Sequence, residues 1–168
     1  MNCYFNQRKI KTKKILYLIL FFIFFLKTNS YSKEITGYAK VIDGDTIKIK
    51  GTKIRLYGID APESNQTCSK PWLNLGIFTF YKDYKCGSKT TDLLKKFIEN
   101  EIIVCKKKSL DRYNRVIAIC FKKRQDINSW LVRNGLAVAY KKYSKKYVIN
   151  ENDAKKEEIG LWAGKFEM

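Results

Sequence analysis

Between Glu34 and Ile59 the chain divides into three short runs, Glu34 to Ile42, Thr46 to Lys50 and Lys53 to Ile59, that alternate or run apolar. Between them stand Asp43-Gly44 and Gly51-Thr52, which are turn signals. The pattern predicts a three-stranded meander. That expectation constrains the rest of the chain, because the apolar face of such a sheet must be covered by later elements.

The remaining residues supply two more strands and three helices. Residues 64 to 87 mix Pro, Asn, Gly and aromatics without a clean period and read as an insertion. A helix comes next, capped by Ser88 or Thr91, with Leu93, Leu94, Phe97 and Ile98 on one stripe. Strand Glu101 to Lys107, a turn at Asp111 to Arg115 and strand Val116 to Lys122 continue the pattern. Asp126 to Asn134 reads as a second helix stopped by Gly135, and Glu151 to Ile159 as a third stopped by Gly160. Five strands interrupted by one helix match the order of an OB-fold, a partly open five-stranded Greek-key barrel whose face and loops bind nucleic acids. The fold class is therefore α+β, a β-barrel carrying three helices.

Charge narrows the chemistry. The 168 residues hold 34 Lys and Arg against 16 Asp and Glu, a net charge of +18, and no His. Histidine-based catalysis is excluded, and proton transfer falls to carboxylates, Lys, Tyr, Cys or water. So large an excess suits a polyanionic partner, either nucleic acid or an anionic membrane surface, although it is also what a solvated basic surface looks like.

Residues 1–32 form a separate unit. Arg8, Lys9, Lys11, Lys13 and Lys14 precede the apolar run Ile15 to Leu26, after which come polar Lys27, Thr28, Asn29 and Ser30. Twelve helical residues rise about 18 Å, short of the roughly 30 Å hydrocarbon core. The segment reads as a secretory signal, or as an N-terminal membrane anchor if it is not cleaved. Its removal takes away six positive charges and no acids, so residues 33–168 remain strongly cationic, with 28 Lys and Arg against 16 acids. Export, to the periplasm or outside the cell, implies an oxidising compartment. With Cys3 set aside, Cys68, Cys86, Cys105 and Cys120 are an even number, and two bridges are expected. Three pairings are possible. Cys105 and Cys120 sit in two strand-like runs flanking a turn and can lie opposite each other; Cys68 with Cys86 would then clip the insertion. A zinc site is the rival, though no Cys-x-x-Cys knuckle is present.

In this basic chain Asp43, Asp45, Asp60 and Glu63 fall within 21 residues, on either side of Arg55. Asp43-Gly44 alone is explained by a type I′ hairpin turn. The turn does not explain Asp45, nor a second acidic turn, Asp60-Ala61-Pro62-Glu63, at the end of the third strand. Carboxylates gathered from two turns suit a hard cation such as Ca²⁺ or Mg²⁺. A phosphodiester gains charge on its equatorial oxygens in the transition state, so a cation and forked guanidinium donors such as Arg55 and Arg115 would serve its hydrolysis.

The runs Val41-Ile-Asp-Gly-Asp-Thr46, Arg55-Leu-Tyr-Gly-Ile-Asp-Ala-Pro-Glu63 and Asp111-Arg-Tyr-Asn-Arg115 resemble the three active-site motifs of the thermonuclease, or staphylococcal-nuclease-like, family, in the family's order. Asn128 to Ala137 is similar to the family's second helix, and Lys155 to Trp162 to its last, so the resemblance covers roughly residues 35 to 166. It implies a Ca²⁺-dependent phosphodiesterase on an OB-fold that cuts DNA and RNA to leave 3′-phosphates. By position, Asp45 and Asp60 would ligate Ca²⁺, helped by the carbonyl of Ala61, with Asp43 acting through a water. Glu63 would orient or deprotonate the attacking water, and Arg55 and Arg115 would stabilise the transition state. Tyr113 and Arg112 would lie near the bound nucleotide, and Tyr140 is a candidate stacking platform. Asn114 stands where the family usually has Gly, and Asn tolerates the positive φ that such a turn needs. The expected protein is a monomer acting on nucleic acid, preferentially single-stranded, and meeting the membrane only if its N-terminal segment is retained. The alternative is a non-catalytic OB-fold module for single-stranded nucleic acid.

Overall fold

A computed structural model describes residues 34–168. The expected signal segment, residues 1–32, lies outside the described residues. The meander is present as β1 (Glu34–Val41), β2 (Thr46–Ile49) and β3 (Thr52–Leu56), antiparallel in sequence order, with Val41 opposite Ile47 and Thr46 opposite Arg55. β1 also pairs with β7 (Ile102–Leu110), and β7 with β8 (Val116–Lys122). β8 then closes the sheet by running parallel to β3, Arg55 facing Ile117. The result is a closed five-stranded barrel of the OB type. Its interior is filled by the inward positions of each strand: Ile47, Ile49, Ile54, Leu56, Ile103, Cys105, Ala118 and Cys120 are buried. Each buried Ile or Leu stabilises the fold by about 1.5–3 kcal/mol relative to exposure.

Cys105 and Cys120 are direct cross-strand partners on β7 and β8 and form a disulfide inside the barrel. Cys68 and Cys86 form the second, at the base of the insertion. Both pairings match the expectation.

Three helices pack on the barrel. α1 (Cys86–Ile98) buries Leu94 and Ile98 in the main core, while Phe97 stacks flat on Trp130 with ring centroids 3.8 Å apart. Leu93, expected on the same stripe, is exposed instead. α1 also begins earlier than expected. Neither Ser88 nor Thr91 caps it; Thr91 Oγ donates back to the carbonyl of Gly87, one turn earlier, and the helix starts where the disulfide fixes Cys86. α2 (Ile127–Arg133) is capped by Asp126, whose carboxylate accepts the Ser129 amide at 3.0 Å. It ends at Gly135, where φ is +62°. α3 (Val148–Lys156) starts three residues before the expected Glu151 and stops before Gly160, with Glu158 already left-handed at φ +51°. A short 3₁₀ turn, Gly160–Ala163, comes after it.

Residues 64 to 87 depart most from expectation. They contain an antiparallel hairpin, β5 (Cys68–Asn74) and β6 (Thr79–Tyr84), with a bulge between Pro71 and Leu73. The bulge breaks the alternation, and every residue from Lys70 to Asp83 is exposed, so neither face carries a polar or apolar bias that sequence could reveal. Three two-residue strands complete the structure: β4 (Ile59–Asp60) pairs with β10 (Val138–Ala139), and β9 (Gln125–Asp126) pairs antiparallel with the end of β8.

Ser32–Met168 form one compact unit that contains the barrel core and both disulfides. The bridge across the 15-residue separation of Cys105 and Cys120 is expected to contribute about 3 kcal/mol by restricting the unfolded chain. The Cys105→Ala/Cys120→Ala variant should show that loss in urea denaturation, and reductant should produce a comparable loss in the wild type and none in the variant that already lacks this bridge beyond the share due to Cys68–Cys86.

Candidate active site

The site is assembled where two turns meet at one end of the barrel. In the first, the Asp43 carboxylate accepts the Asp45 amide at 3.0 Å, fixing the bend. Gly44 does not adopt a positive φ, so the type I′ turn expected from Asp-Gly is not formed. Its lack of a side chain matters for another reason. A Cβ there would stand 2.7 Å from both Ala61 Cβ and Thr90 Cγ2. The first acidic turn is thus pressed directly against the residue after Asp60, and the two turns are neighbours in space.

Arg55, projecting from β3 opposite Thr46, spans the pair. Its Nη1 donates to Asp45 Oδ1 at 2.9 Å and its Nη2 to Asp60 Oδ1 at 2.6 Å. Thr46 adds a hydroxyl bond to the same Asp45 oxygen, 2.9 Å, and the Asp45 carbonyl accepts the Leu56 amide at 2.8 Å. Asp60 is held by β4, where it faces Val138 of β10. Burial pushes the Asp45 carboxyl up to about 7; Arg55 opposes this, and the charges of Asp43 and Asp60 add to it. For the Arg55 guanidinium, burial alone would weaken protonation, but Asp45 and Asp60 raise its pKa above the ordinary value.

Arg115 ends the turn that leads into the neighbouring strand, immediately before β8. Because Arg55 faces Ile117, Arg115 stands two residues ahead of Arg55's partner, roughly 7 Å away along the chain. Asp111 organises its turn: one carboxylate oxygen accepts the amides of Tyr113 and Arg115, both at 2.8 Å, and the other accepts Arg115 Nε at 2.6 Å. Burial works against this carboxylate, but the Arg115 bonds and the Tyr113 amide outweigh it and hold Asp111 below its ordinary pKa. Asn114 takes φ +58°, the conformation expected of it. The exposed Tyr113 ring lies 4.8 Å from the Arg112 guanidinium and 5.7 Å from that of Arg115.

The other expected residues are less tightly drawn in. Glu63 is exposed, and its backbone is held by Gln66, whose side-chain oxygen accepts the Glu63 amide at 3.0 Å. Tyr140 is half-buried, with its amide bonded to the Gly58 carbonyl and its ring edge-on to Tyr143. Among the described residues no group of three or more acidic or cysteine side chains is gathered closely enough to hold a metal ion. The gathered carboxylates are a pair, Asp45 and Asp60, with Arg55 between them. A buried carboxylate with two acidic neighbours and one shared guanidinium is under-compensated, and its hard oxygens suit a hard cation that retains waters.

A profile of the family described as "Staphylococcal nuclease homologue" matches residues 53–164. The chain belongs to this staphylococcal nuclease homologue family. It is 34% identical over 134 residues to the succinoglycan biosynthesis protein ExoI of Rhizobium meliloti, covering 78% of this chain and 66% of that relative. It is 32% identical over 159 residues to an uncharacterized endonuclease of Haemophilus influenzae, covering 90% of this chain and 79% of the relative. A micrococcal nuclease of Shigella flexneri is 26% identical over 141 residues, covering 74% and 71%.

Several residues that support the site in this family member were not singled out from sequence. Thr46 and Asp111 lie inside the motifs, and their roles depend on side-chain geometry. Gly87 and Glu151 lie outside them. Gly87, in the first turn of α1, packs so closely that a Cβ would fall 1.7 Å from the Glu63 carbonyl oxygen. Glu151 of α3 is buried; it accepts the Ala139 amide of β10 at 3.3 Å and pairs with Lys141 at 2.6 Å and Lys155 at 3.2 Å. It thereby steadies the strand that faces Asp60.

Gly87→Ala should displace the Glu63 loop and cost about 2 kcal/mol; amide chemical shifts of residues 60–66 and the melting temperature would register it. Glu151→Gln should cost about 1–3 kcal/mol at neutral pH. Burial alone would raise the Glu151 pKa, but the two lysines bring it below the ordinary 4.5. Its contribution is therefore present above that value and lost as pH falls through the lowered one, so denaturation curves of wild type and variant should converge in acid.

Proposed function

We propose that the protein is an exported, Ca²⁺-dependent nuclease that hydrolyses DNA and RNA to 3′-phosphate products. The observation that carries this reading is the Arg55 fork between Asp45 and Asp60, with Arg115 at the entry to β8, the strand that pairs with β3 beside Arg55. A module that only bound single strands would need basic and aromatic surface, and would gain nothing from a buried aspartate held against an arginine. Membership of the staphylococcal nuclease homologue family and the endonuclease and micrococcal nuclease relatives support nuclease activity in general.

In this reading Asp45, Asp60 and the Ala61 carbonyl would hold the Ca²⁺, with Asp43 supporting them, and the bound ion would supply positive charge against a phosphate. Two of the five N–H donors of Arg55 are engaged by carboxylates, and the others are available to an equatorial phosphate oxygen. Arg115, oriented by Asp111, supplies a second planar, forked donor set. Glu63, exposed on its own loop, positions or deprotonates the attacking water. Tyr113, with Arg112 beside it, offers a ring to a neighbouring base, and Tyr140 a second. The excess of Lys and Arg draws single-stranded polyanion to the site.

Two disulfides favour an oxidising compartment, and no helix of the described residues is long and apolar enough to cross a membrane. We assign residues 1–32 to a signal peptide and residues 33–168 to the nuclease domain, acting as a monomer.

The test is cleavage of single-stranded DNA and RNA by residues 33–168 in Ca²⁺ and in chelator. Cleavage should require Ca²⁺, and Asp45→Ala should abolish both activity and the thermal stabilisation that Ca²⁺ confers. Arg115→Lys, which keeps charge but loses the fork, should lower kcat by roughly 100-fold with a smaller change in KM. Cleavage unaffected by chelator and by these variants would overturn the assignment.

A further inference from the structure

The hairpin β5–β6 is exposed over its whole length beyond Ser69, and it is amphiphilic along its axis rather than across its faces. Residues 71–81, Pro-Trp-Leu-Asn-Leu-Gly-Ile-Phe-Thr-Phe-Tyr, contain no charge. At the tip Leu75, Ile77 and Phe78 are 60%, 89% and 63% exposed. Asn74 closes the turn by accepting the Gly76 amide at 3.0 Å, so the tip is a formed turn. Behind it come Trp72, Phe80 and Tyr81, also exposed. Behind these Lys70 stands directly opposite Lys82, with Lys165 placed 4.3 Å over the Tyr81 ring. Asp83, the one acid of the hairpin, is engaged by the Ser69 hydroxyl at 2.7 Å. The tip reaches on the order of 15 Å past the lysine pair.

The arm is firmly rooted. Ser69 and Lys165 exchange backbone hydrogen bonds at 2.9 and 2.8 Å, and Cys68 is bridged to Cys86. A rooted arm that exposes large apolar side chains has an occupant to meet, because such patches are rare on soluble surfaces without one. We infer that the β5–β6 hairpin docks the protein on an anionic lipid bilayer, with Leu75, Ile77 and Phe78 entering the acyl boundary, Trp72 and Tyr81 at headgroup level, and Lys70 and Lys82 against lipid phosphates.

The order of side chains favours this occupant. Aliphatic tip, aromatic belt and cationic collar repeat the polarity profile of a membrane interface over the 5–10 Å or so that interfacial elements enter. Lys70 and Lys82 are a like-charged cross-strand pair, which destabilises an isolated hairpin and is relieved by an anionic surface. A single-stranded nucleic-acid arm would interleave cations with its rings so that bases and phosphates are met together. Here eleven consecutive residues carry none, and the most exposed of them, Ile77, has no ring to stack on. Bilayer docking is independent of the nuclease reading, since it uses none of the active-site residues.

The test uses the compact domain, residues 33–168, in chelator, with vesicles of phosphatidylcholine alone or mixed with phosphatidylglycerol. Trp72 is the exposed member of the three tryptophans, and Trp72→Phe reports the background of Trp130 and Trp162. Anionic vesicles should co-sediment the protein, shift the Trp72 emission to the blue and quench it when the acyl chains are brominated; neutral vesicles should do so weakly. Ile77→Asp/Phe78→Asp should lower vesicle partition by roughly tenfold or more, while the variant melts like wild type and cleaves a short soluble oligonucleotide at an unchanged rate in Ca²⁺. Vesicle binding that is absent, that leaves Trp72 unquenched, or that survives the double substitution would overturn the inference. So would finding that the substitutions instead weaken single-stranded DNA binding or self-association.

Discussion

The interaction on which the site depends is the two-handed contact of Arg55 with Asp45 and Asp60. Two carboxylates brought together at the end of a barrel repel each other, and Asp45 is buried besides, so neither turn would hold its place without a shared cation. Arg55 supplies it from a strand that both turns flank. The barrel fixes Arg55 through the register of β2, β3 and β8, so the charge is set by backbone pairing. Removing one partner would leave a buried charge uncompensated, the costly case for an ion pair.

Around this contact the chain removes atoms as well as adding them. Gly44 lets the first turn touch Ala61 and Thr90 of α1, and Gly87 lets α1 touch the Glu63 carbonyl. Neither glycine is needed for a positive φ. Both permit an approach that any side chain would prevent, and both approaches bring an acidic loop against a rigid element. The loops of the candidate site are therefore positioned by close packing at two points and by Glu151 at a third, through β10.

How much of this arrangement is legible in the sequence depends on where the information lies. The meander is legible because its strands bury one face and its turns carry their own residues. The disulfide between Cys105 and Cys120 is legible because it joins direct partners across a turn. The acidic turns are legible as a cluster, while the fork of Arg55 is a fact of side-chain direction that spacing only permits. Glu151 is invisible in the same way: it sits in a polar helix, 91 residues from Asp60, and only burial distinguishes it from its neighbours. The hairpin escapes notice because beyond its root at Cys68 it buries almost nothing. Period reading detects a strand by the difference between its two faces, and β5 and β6 have none.

The hairpin and the site are linked through one short stretch of chain. Gln66 holds the Glu63 amide with one side-chain atom and donates from the other to the Glu167 carbonyl at 2.6 Å; two residues later Cys68 begins β5 and is bridged to the first residue of α1. Gly87, next along α1, is the residue against which Glu63 packs. A force on the hairpin is thus delivered to a disulfide and a helix start, rather than to a flexible linker, and the Glu63 loop lies inside the same clamp. An arm rooted this way can be held at a surface without disturbing the Arg55 contact, which is anchored separately in β3.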